Sequence, residues 1–378
     1  MAQITVKKIA SSGGEVKKFI DFPHDLYKDD PTYVPELYIS QEKLFNRKKN
    51  PFFQHAEVDL FLAYINGKIV GRIAAVDNGG YKKFTGNNDG FFGFFDVIND
   101  YSVAEALLNT VKDWCKQKGL TNIIGPVNFS TNDTCGMLID SYDSPPVILM
   151  TYNKKYYNDF MDRYGFRKKM DLLAYRIGTK ENMNQRVIAM RPALENRLKR
   201  DGIIIRKFNM KNFKSEVDKL HEVYNAAWEK NWGFVPMTKD EFKFAASDMK
   251  AIVDTDFAYV AEHNGKAIGF ALTLPNLNEV TIRIKRGRLL PTGIFTLLMN
   301  QKKVKSVRII TLGVIEGYRK AGIDACFYAM NLEAAAKKNI DYGEASWILE
   351  NNDMMNKALL HIGGKVYKKY RLYEMPLK

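Results

Sequence analysis

The most informative pattern of apolar and polar positions lies near the C-terminal end of the chain. A largely apolar run, Val307–Val314, is followed by a glycine-containing turn at 316–322, and a helical pattern then begins at Asp324. The apolar positions of that pattern fall at i, i+4, i+7 and i+11, which predicts one helix face packed on a sheet. They are Ala325, Ala329, Leu332 and Ala336.

A short motif between apolar runs occurs twice. Asn-Gly-Lys-Ile-Val-Gly at 66–71 returns as Asn-Gly-Lys-Ala-Ile-Gly at 264–269, an offset of 198 residues (264 minus 66). Asn-Gly between two apolar runs predicts a β-hairpin, because both turn residues must adopt positive φ. Each half of the chain is therefore expected to contain one such hairpin.

Two further matches extend the repeat to the ends of both halves. Residues 165–177 align with 363–375 at the same offset of 198, and 4–9 align with 203–208 at 199. Three matches in the same order at nearly one offset indicate a duplication. We predict an N-terminal domain at 1–177, a polar helical linker at 178–200 and a C-terminal domain at 201–378.

The predicted elements of the second copy alternate between strands and helices. In order they are a strand (203–208), helices (212–230 and 238–252), a hairpin (257–274), a strand (307–314), a helix (324–338), a strand (343–349), a helix (353–361) and terminal strands (365–376). The first copy repeats this order, with a helix near 103–118. The two copies differ by compensating insertions. The second copy has a basic segment at 276–305, and the first copy has an extra stretch at 126–150.

The composition is that of a globular protein. Of 378 residues, 46% are hydrophobic and 26% are charged. The apolar runs are shorter than the ~20 residues of a membrane-spanning helix, and the N-terminus lacks an apolar signal region. The isolated cysteines and histidines suggest neither a disulfide framework nor a zinc site. We therefore expect a cytoplasmic protein with no transmembrane segment and no metal.

The charge is strongly positive and unevenly distributed. The formal net charge is +14, which implies an anionic partner. Between 281 and 308 there are eight basic residues and no acidic one. These are Arg283, Lys285, Arg286, Arg288, Lys302, Lys303, Lys305 and Arg308. A solvated basic loop would explain them, but their place just before the turn at 316–322 favours a function.

The turn at 316–322 has the features of an anion-binding loop. A strand that ends in free backbone N–H groups and opens a helix holds phosphate, and Arg319 and Lys320 add positive charge. Residues 319–323, Arg-Lys-Ala-Gly-Ile, resemble the Arg-x-x-Gly-x-(Gly or Ala) pyrophosphate loop of the GNAT (GCN5-related) N-acyltransferases. Asp324 departs from that motif.

The resemblance implies both a fold and a reaction. The fold would be α/β (α+β), with tandem GNAT-like domains that each have a mixed, mostly antiparallel sheet flanked by helices. The reaction would transfer an acyl group from acetyl-CoA or another acyl-CoA to the amine of a small molecule or peptide. The amine would attack the thioester directly, with no covalent enzyme intermediate. The chain resembles most the large bacterial proteins that contain two such domains.

The resemblance also assigns site residues in the second copy. The end of the strand would bind pantetheine and the loop would bind pyrophosphate. The residues concerned are Leu312, Gly313, Val314, Tyr318, Arg319, Lys320, Ala321, Gly322 and Ile323. In the later family motif, Asn352 keeps its spacing as a further binding residue, whereas Leu359 stands where many relatives have a tyrosine acid.

Three carboxylates are candidates for the general base. Glu350 is favoured over Glu316 and Glu344 because it lies beside Asn352, although each is also explained as a solvated surface residue. Asp324 lies in the first turn of the helix predicted after the 316–322 turn. A carboxylate there suits the helix N-terminus, so a structural role is favoured over a role in the site.

The first copy lacks the phosphate loop. In its place are residues 95–102, where Asp96 and Asp100 oppose an anion and no glycine permits close approach. We expect this copy to shape an acceptor pocket or to support the second copy. Its stretch at 125–136 is equally well explained as capped turns or as a polar pocket, and Cys135 has no identifiable histidine partner for nucleophilic chemistry.

Two other classes of function remain open. Tandem GNAT-like folds also occur in aminoacyl-tRNA-dependent transferases, and the basic charge would suit nucleic acid, but such enzymes need no CoA loop. A binding or scaffolding protein that has lost its chemistry would explain Leu359 and Asp324. The apolar stretch at 289–299 would suit a membrane surface or a carrier protein, although a lid on the second copy is the commoner arrangement. The oligomeric state is left open.

Overall fold

The computed structural model describes residues 3–10, 12–179 and 185–377. The predicted order of strands and helices is confirmed in both halves of the chain. The first half contains β1 (Ile4–Ile9), α1 (Gly14–Leu26), α2 (Tyr38–Leu44), β2 (Ala56–Ile65), β3 (Lys68–Asn78), α3 (Gly79–Thr85), β4 (Asp89–Val97), α4 (Tyr101–Gln117), β5 (Asn122–Gly125), β6 (Val127–Asn128), β7 (Thr134–Cys135), β8 (Met137–Leu138), α5 (Tyr156–Tyr164) and β9 (Arg167–Gly178).

The second half begins with the segment that the sequence predicts as a linker. Residues 180–184 of that linker lie outside the described residues. The remaining elements are α6 (Gln185–Arg200), β10 (Ile203–Lys207), α7 (Phe213–Trp228), α8 (Lys239–Met249), β11 (Ala258–His263), β12 (Lys266–Pro275), α9 (Asn278–Thr281), α10 (Ile294–Asn300), β13 (Ser306–Val314), α11 (Ile323–Lys337), β14 (Tyr342–Leu349), α12 (Asp353–His361) and β15 (Lys365–Pro376).

The chain forms two compact units that are discontinuous in sequence. Unit one consists of residues 1–172, 280–299 and 368–378, and unit two consists of 173–279 and 300–367. We keep 1–177 and 201–378 as a proposal for the two ancestral repeats.

Both predicted hairpins are present, with the expected backbone conformation. Asn66 and Gly67 have φ of 49° and 77°, and Asn264 and Gly265 have φ of 49° and 76°. These positive values match the twist of the flanking strands. The pairing of β2 with β3 and of β11 with β12 is therefore set by the same local sequence in each half.

Each unit has the mixed sheet that the family resemblance implies. In unit one, β1 to β4 pair antiparallel in order and β4 pairs with β5 in parallel. In unit two, β10 to β13 pair antiparallel in order and β13 pairs with β14 in parallel. The main helix after the fourth strand packs on one face in each unit, α4 in unit one and α11 in unit two.

The basic segment at 280–299 packs in unit one. Arg286 forms ion pairs with Asp21, at 3.0 Å, and with Asp25. Arg288 lies 3.1 Å from the Asp21 carboxylate. The expectation of a lid on the second copy is therefore wrong, because these two arginines find their carboxylates on α1 of unit one.

The helix α6 belongs to the core of unit two. Leu198 is buried and packs with Ile203, Ile323 and Phe327, while Leu194 is half-buried against the same cluster. In the described part of the chain, no helix is long and apolar enough to cross a membrane. The described residues also contain no group of three or more histidine, cysteine or acidic side chains arranged to hold a metal ion.

Candidate functional site

The strands β13 and β14 separate in the middle of the sheet of unit two. Their parallel register runs from the Ser306–Tyr342 pair to the Ile309–Ala345 pair and ends there. Both strands continue, β13 to Val314 and β14 to Leu349. Beyond Ile309, β13 pairs with β12 on its other edge. The described strands thus leave one edge of residues 312–314 available to a ligand.

The turn after β13 presents backbone donors at the start of α11. Gly317, Lys320 and Gly322 have φ of 93°, 71° and 93°, which places them in the left-handed region. Among the described residues, the N–H groups of Lys320, Gly322 and Ile323 have no backbone or side-chain acceptor. These groups and the dipole of α11 suit an anion such as a pyrophosphate.

Three cationic side chains lie at this turn, and the sequence motif contains only two of them. Arg197, on α6, donates a 2.6 Å hydrogen bond to the carbonyl oxygen of Ala321. Its guanidinium also lies 3.2 Å from where a Cβ on Gly322 would be. Lys320 is exposed. The motif gave no signal for Arg197, because that residue precedes the loop by more than a hundred positions.

Arg319 is partly engaged in holding the turn. Its Nε donates to the carbonyl of Val314 at 3.1 Å, and Nη2 donates to the carbonyl of Ala227 at 2.9 Å. The side chain therefore ties the end of β13 to the last turn of α7. A guanidinium carries five N–H donors, so this residue keeps others for a ligand.

The remaining loop residues have structural contacts. Tyr318 bonds His263 Nδ1 through its hydroxyl at 2.7 Å, which links the loop to β11. Glu316 is exposed and pairs with Lys230 at 2.7 Å, and this hydrogen bond lowers the pKa of the Glu316 carboxyl. Asp324 is exposed in the first turn of α11. Its position agrees with the structural interpretation from sequence.

The Trp228 ring packs against Gly313 of β13. A Cβ on Gly313 would fall within 2.7 Å of the Trp228 ring, so glycine is required for this close approach. The indole also packs on Phe270 of β12, with ring centroids 5.7 Å apart. Nearby, the hydroxyl oxygen of Thr311 is buried with no hydrogen-bond partner among the described residues. A buried, unsatisfied hydroxyl is rare in native structures and suits a cleft that accepts a polar ligand.

The candidate carboxylates near the separation point differ in environment. Glu344 is fully buried and accepts a hydrogen bond from the Tyr367 hydroxyl. Arg308 is its register partner and donates to Ser346 Oγ at 3.0 Å. Glu350 lies half-exposed just after β14. Of these two acids, only Glu350 has access to solvent.

The residues of the later family motif, at 352–364, have structural roles. The side chain of Asn352 accepts from the backbone N–H of Met355 at 3.2 Å and begins α12. Leu359 is buried with Tyr175, Ile177 and Ala345. The position at which many relatives have a tyrosine is therefore filled by apolar packing.

The corresponding region of unit one is closed by its own chain. Asp96 is buried in an ion pair with Arg72 at 2.8 Å. Asp100 caps α4 by accepting from the Ser102 N–H at 2.9 Å. The Asn128 side chain accepts from the Phe94 N–H at 2.7 Å. In unit one these side chains satisfy a donor of β4 and the start of α4, whereas in unit two the N–H groups of Lys320, Gly322 and Ile323 have no acceptor among the described residues.

The polar stretch after β5 forms turns stabilised by its own side chains. Ser130 donates to the Asp133 carboxylate at 3.0 Å, and the Asn132 N–H donates to Ser130 Oγ at 3.1 Å. Cys135 is buried on β7. These contacts favour the interpretation as capped turns.

The chain is similar to two curated bacterial proteins over nearly its whole length, and no protein-family model matches it. It is 35% identical over 373 residues to the bacterial ceramide synthase of Caulobacter vibrioides (strain NA1000 / CB15N), covering 96% of this chain and 95% of that protein. It is 35% identical over 368 residues to protein YghO of Escherichia coli K12, covering 95% and 92%.

The structure is similar to a solved tandem GNAT protein from the clavulanic acid biosynthesis pathway. The TM-score is 0.59 at 10% sequence identity, and the match covers 100% of this chain and 99% of that one. This similarity confirms the predicted tandem GNAT-like fold.

Proposed function

Because the chain belongs to the family that includes the bacterial ceramide synthase of Caulobacter vibrioides and protein YghO of Escherichia coli, we propose that it transfers a fatty acyl group from acyl-CoA to the amine of a long-chain amino alcohol. Ceramide is the amide of a fatty acid with such an amine. The name of the relative thus describes the same class of reaction that the sequence predicts. The predicted acceptor, a small-molecule or peptide amine, is narrowed here to a long-chain amine.

One observation supports the proposal above the others. The strands β13 and β14 separate before a turn in which the N–H groups of Lys320, Gly322 and Ile323 have no acceptor among the described residues. Arg319 and Lys320 belong to this turn, and Arg197 reaches it from α6. Pantetheine would lie along the open edge of residues 312–314, and the pyrophosphate would lie at the start of α11. Charge-assisted hydrogen bonds from three cations favour a doubly charged pyrophosphate over a neutral ligand.

The reaction requires one bond to form and one to break. The amine nitrogen attacks the thioester carbon, the C–N bond forms, and the C–S bond breaks with release of CoA thiolate. Backbone N–H groups at the end of β13 would stabilise the developing oxyanion. A base removes the proton from the attacking nitrogen, and the thiolate takes a proton from solvent, because Leu359 offers none.

Glu350 remains our proposal for that base. Its half-exposed position permits proton exchange with solvent. Glu344 is fully buried and accepts a hydrogen bond from the Tyr367 hydroxyl, so it is better suited to holding the strands in position. A positioned general base contributes about 10²- to 10⁴-fold to a rate.

The experiment is a turnover assay on the full chain with palmitoyl-CoA or acetyl-CoA as donor and sphinganine as acceptor, with the amide product measured by mass spectrometry. We expect the long-chain amide to form, and Glu350→Gln to reduce kcat about 100-fold or more. Asp353→Asn, an exposed acid three residues away, is the matched control and should leave kcat unchanged. If wild type forms no product with palmitoyl-CoA and none with acetyl-CoA, the proposed reaction is refuted and a binding or scaffolding protein is favoured.

A further inference from the structure

Four large apolar side chains are exposed within ten residues of unit one. Leu290, Phe295, Leu298 and Met299 have exposed fractions of 79%, 63%, 57% and 70%. Leu290 has an extended backbone (φ −97°, ψ 143°) in the kinked segment Leu289–Gly293, and Phe295, Leu298 and Met299 lie on the short helix α10. We call these four residues the apolar tip. Apolar side chains grouped in this way mark interaction sites more often than isolated ones do.

The base of the apolar tip is held firmly to unit one. Arg286 and Arg288 pair with carboxylates of α1, and the Arg288 guanidinium also lies 4.0 Å from the centre of the Tyr38 ring. Gly287 has φ of 64° and packs against the backbone of Glu36, too closely for any side chain. The segment is thus anchored at its base while its apolar residues remain exposed.

The apolar tip is bordered by cations. Arg283 and Lys285, also of unit one, precede it in the sequence, and both side chains are exposed. No acidic residue occurs between 281 and 308. Apolar side chains combined with lysine and arginine are the composition of segments that lie in the interface of an anionic membrane.

We propose that the apolar tip inserts into the headgroup region of an anionic lipid bilayer, with the bordering cations on lipid phosphates. The seven residues of α10 span about 10 Å at 1.5 Å per residue, so the helix lies in the interface and does not cross it. A second copy of this chain is a poorer occupant, because each copy carries a net charge of +14 and the same cations would face each other.

The test is cosedimentation of the full chain, without substrates, with vesicles of phosphatidylcholine alone or with about one third phosphatidylglycerol. We expect binding to the anionic vesicles only, weakened by salt. The variant Arg283→Gln/Lys285→Gln should bind more than tenfold more weakly, since each cation near an anionic surface contributes about fivefold. The variant Leu290→Ser/Phe295→Ser/Leu298→Ser should lose at least about tenfold, because insertion scales with buried apolar area.

A matched control is available on α12, where Met354 and Leu360 are exposed to 71% and 57%. Met354→Ser/Leu360→Ser should bind vesicles as wild type does. Equal binding by the tip variant and this control would overturn the proposal, as would failure of wild type to bind anionic vesicles. A concentration-dependent dimer in sedimentation velocity that the tip substitutions abolish, without vesicle binding, would assign the surface to a second copy instead. Because no substrate is present, the result is independent of the proposed reaction.

Discussion

Removal of the Asp96 carboxylate should destabilise unit one strongly. Asp96 lies on β4, and its carboxylate accepts from Arg72 Nε at 2.8 Å and from the Tyr27 hydroxyl at 3.1 Å. The side chains of Arg72 and Asp96 are only 9% and 10% exposed. In Asp96→Ala the guanidinium would stay buried without its counter-charge. Breaking one partner of a buried pair costs about 3–5 kcal/mol.

The measurement is urea denaturation monitored by circular dichroism. With a slope of about 2 kcal/mol per molar urea, the midpoint should fall by about 2 M. The control is Glu57→Ala, which removes an ion pair with Lys118 whose glutamate is 72% exposed. That change should cost less than about 1 kcal/mol. Equal shifts for the two variants would refute the structural role of Asp96.

A double variant separates the effect of the buried charge on stability from the effect of packing. In Arg72→Met/Asp96→Leu both buried charges are replaced by apolar side chains, and such replacement is often neutral or stabilising. Stability near that of wild type would show that Asp96 is retained as a counter-charge. A loss as large as that of Asp96→Ala would point instead to hydrogen bonds made by Tyr27.

Two further predictions concern unit two and pH. Gly313→Ala should lower the free energy of unfolding by about 1–3 kcal/mol in a thermal melt because its Cβ would overlap the Trp228 ring, whereas Gly343→Ala, whose Cβ would meet its nearest neighbour at 3.5 Å, should be nearly neutral. The pKa of His24 is lowered from 6.5 to about 4, chiefly because the imidazole is buried. The unfolded chain therefore binds a proton at His24 more readily than the folded protein, and the contribution of His24 to stability is complete only above pH 6.5. That contribution, about 3 kcal/mol, should be lost as the pH falls from 6.5 to 4. In a series of chemical denaturations at different pH, the free energy of unfolding should depend less steeply on pH in His24→Gln than in wild type. An unchanged pH slope in that variant would contradict the assignment.

The order of elements was predictable because local patterns determine it. The Asn-Gly turns require positive φ at both residues, and the structure has it at Asn66, Gly67, Asn264 and Gly265. The helix after the loop was predicted at 324–338 and spans Ile323–Lys337. In these places, local sequence and tertiary structure favour the same conformation.

What could not be predicted depends on contacts between residues distant in sequence. Arg197 lies in a segment that the sequence identifies only as a polar linker, yet its side chain reaches Ala321. The basic segment was expected on the second copy, but Arg286 and Arg288 pair with α1. The Trp228 ring over Gly313 is likewise invisible in sequence. Ion pairs and close packing of this kind follow from the assembled fold and leave no periodic pattern.

The most direct test of the acyl-CoA loop is isothermal titration calorimetry with acetyl-CoA and decanoyl-CoA on wild type and Gly322→Glu. We expect binding by wild type and a Kd at least about 30-fold higher in the variant, because a carboxylate would oppose the pyrophosphate and cost about 2 kcal/mol. Gly86→Glu changes a glycine of unit one that has φ of 76° and open space around it, so it also places a side chain at positive φ, and it should bind as wild type does. No binding by wild type, or undiminished binding by Gly322→Glu, would show that residues 319–323 are not an acyl-CoA loop.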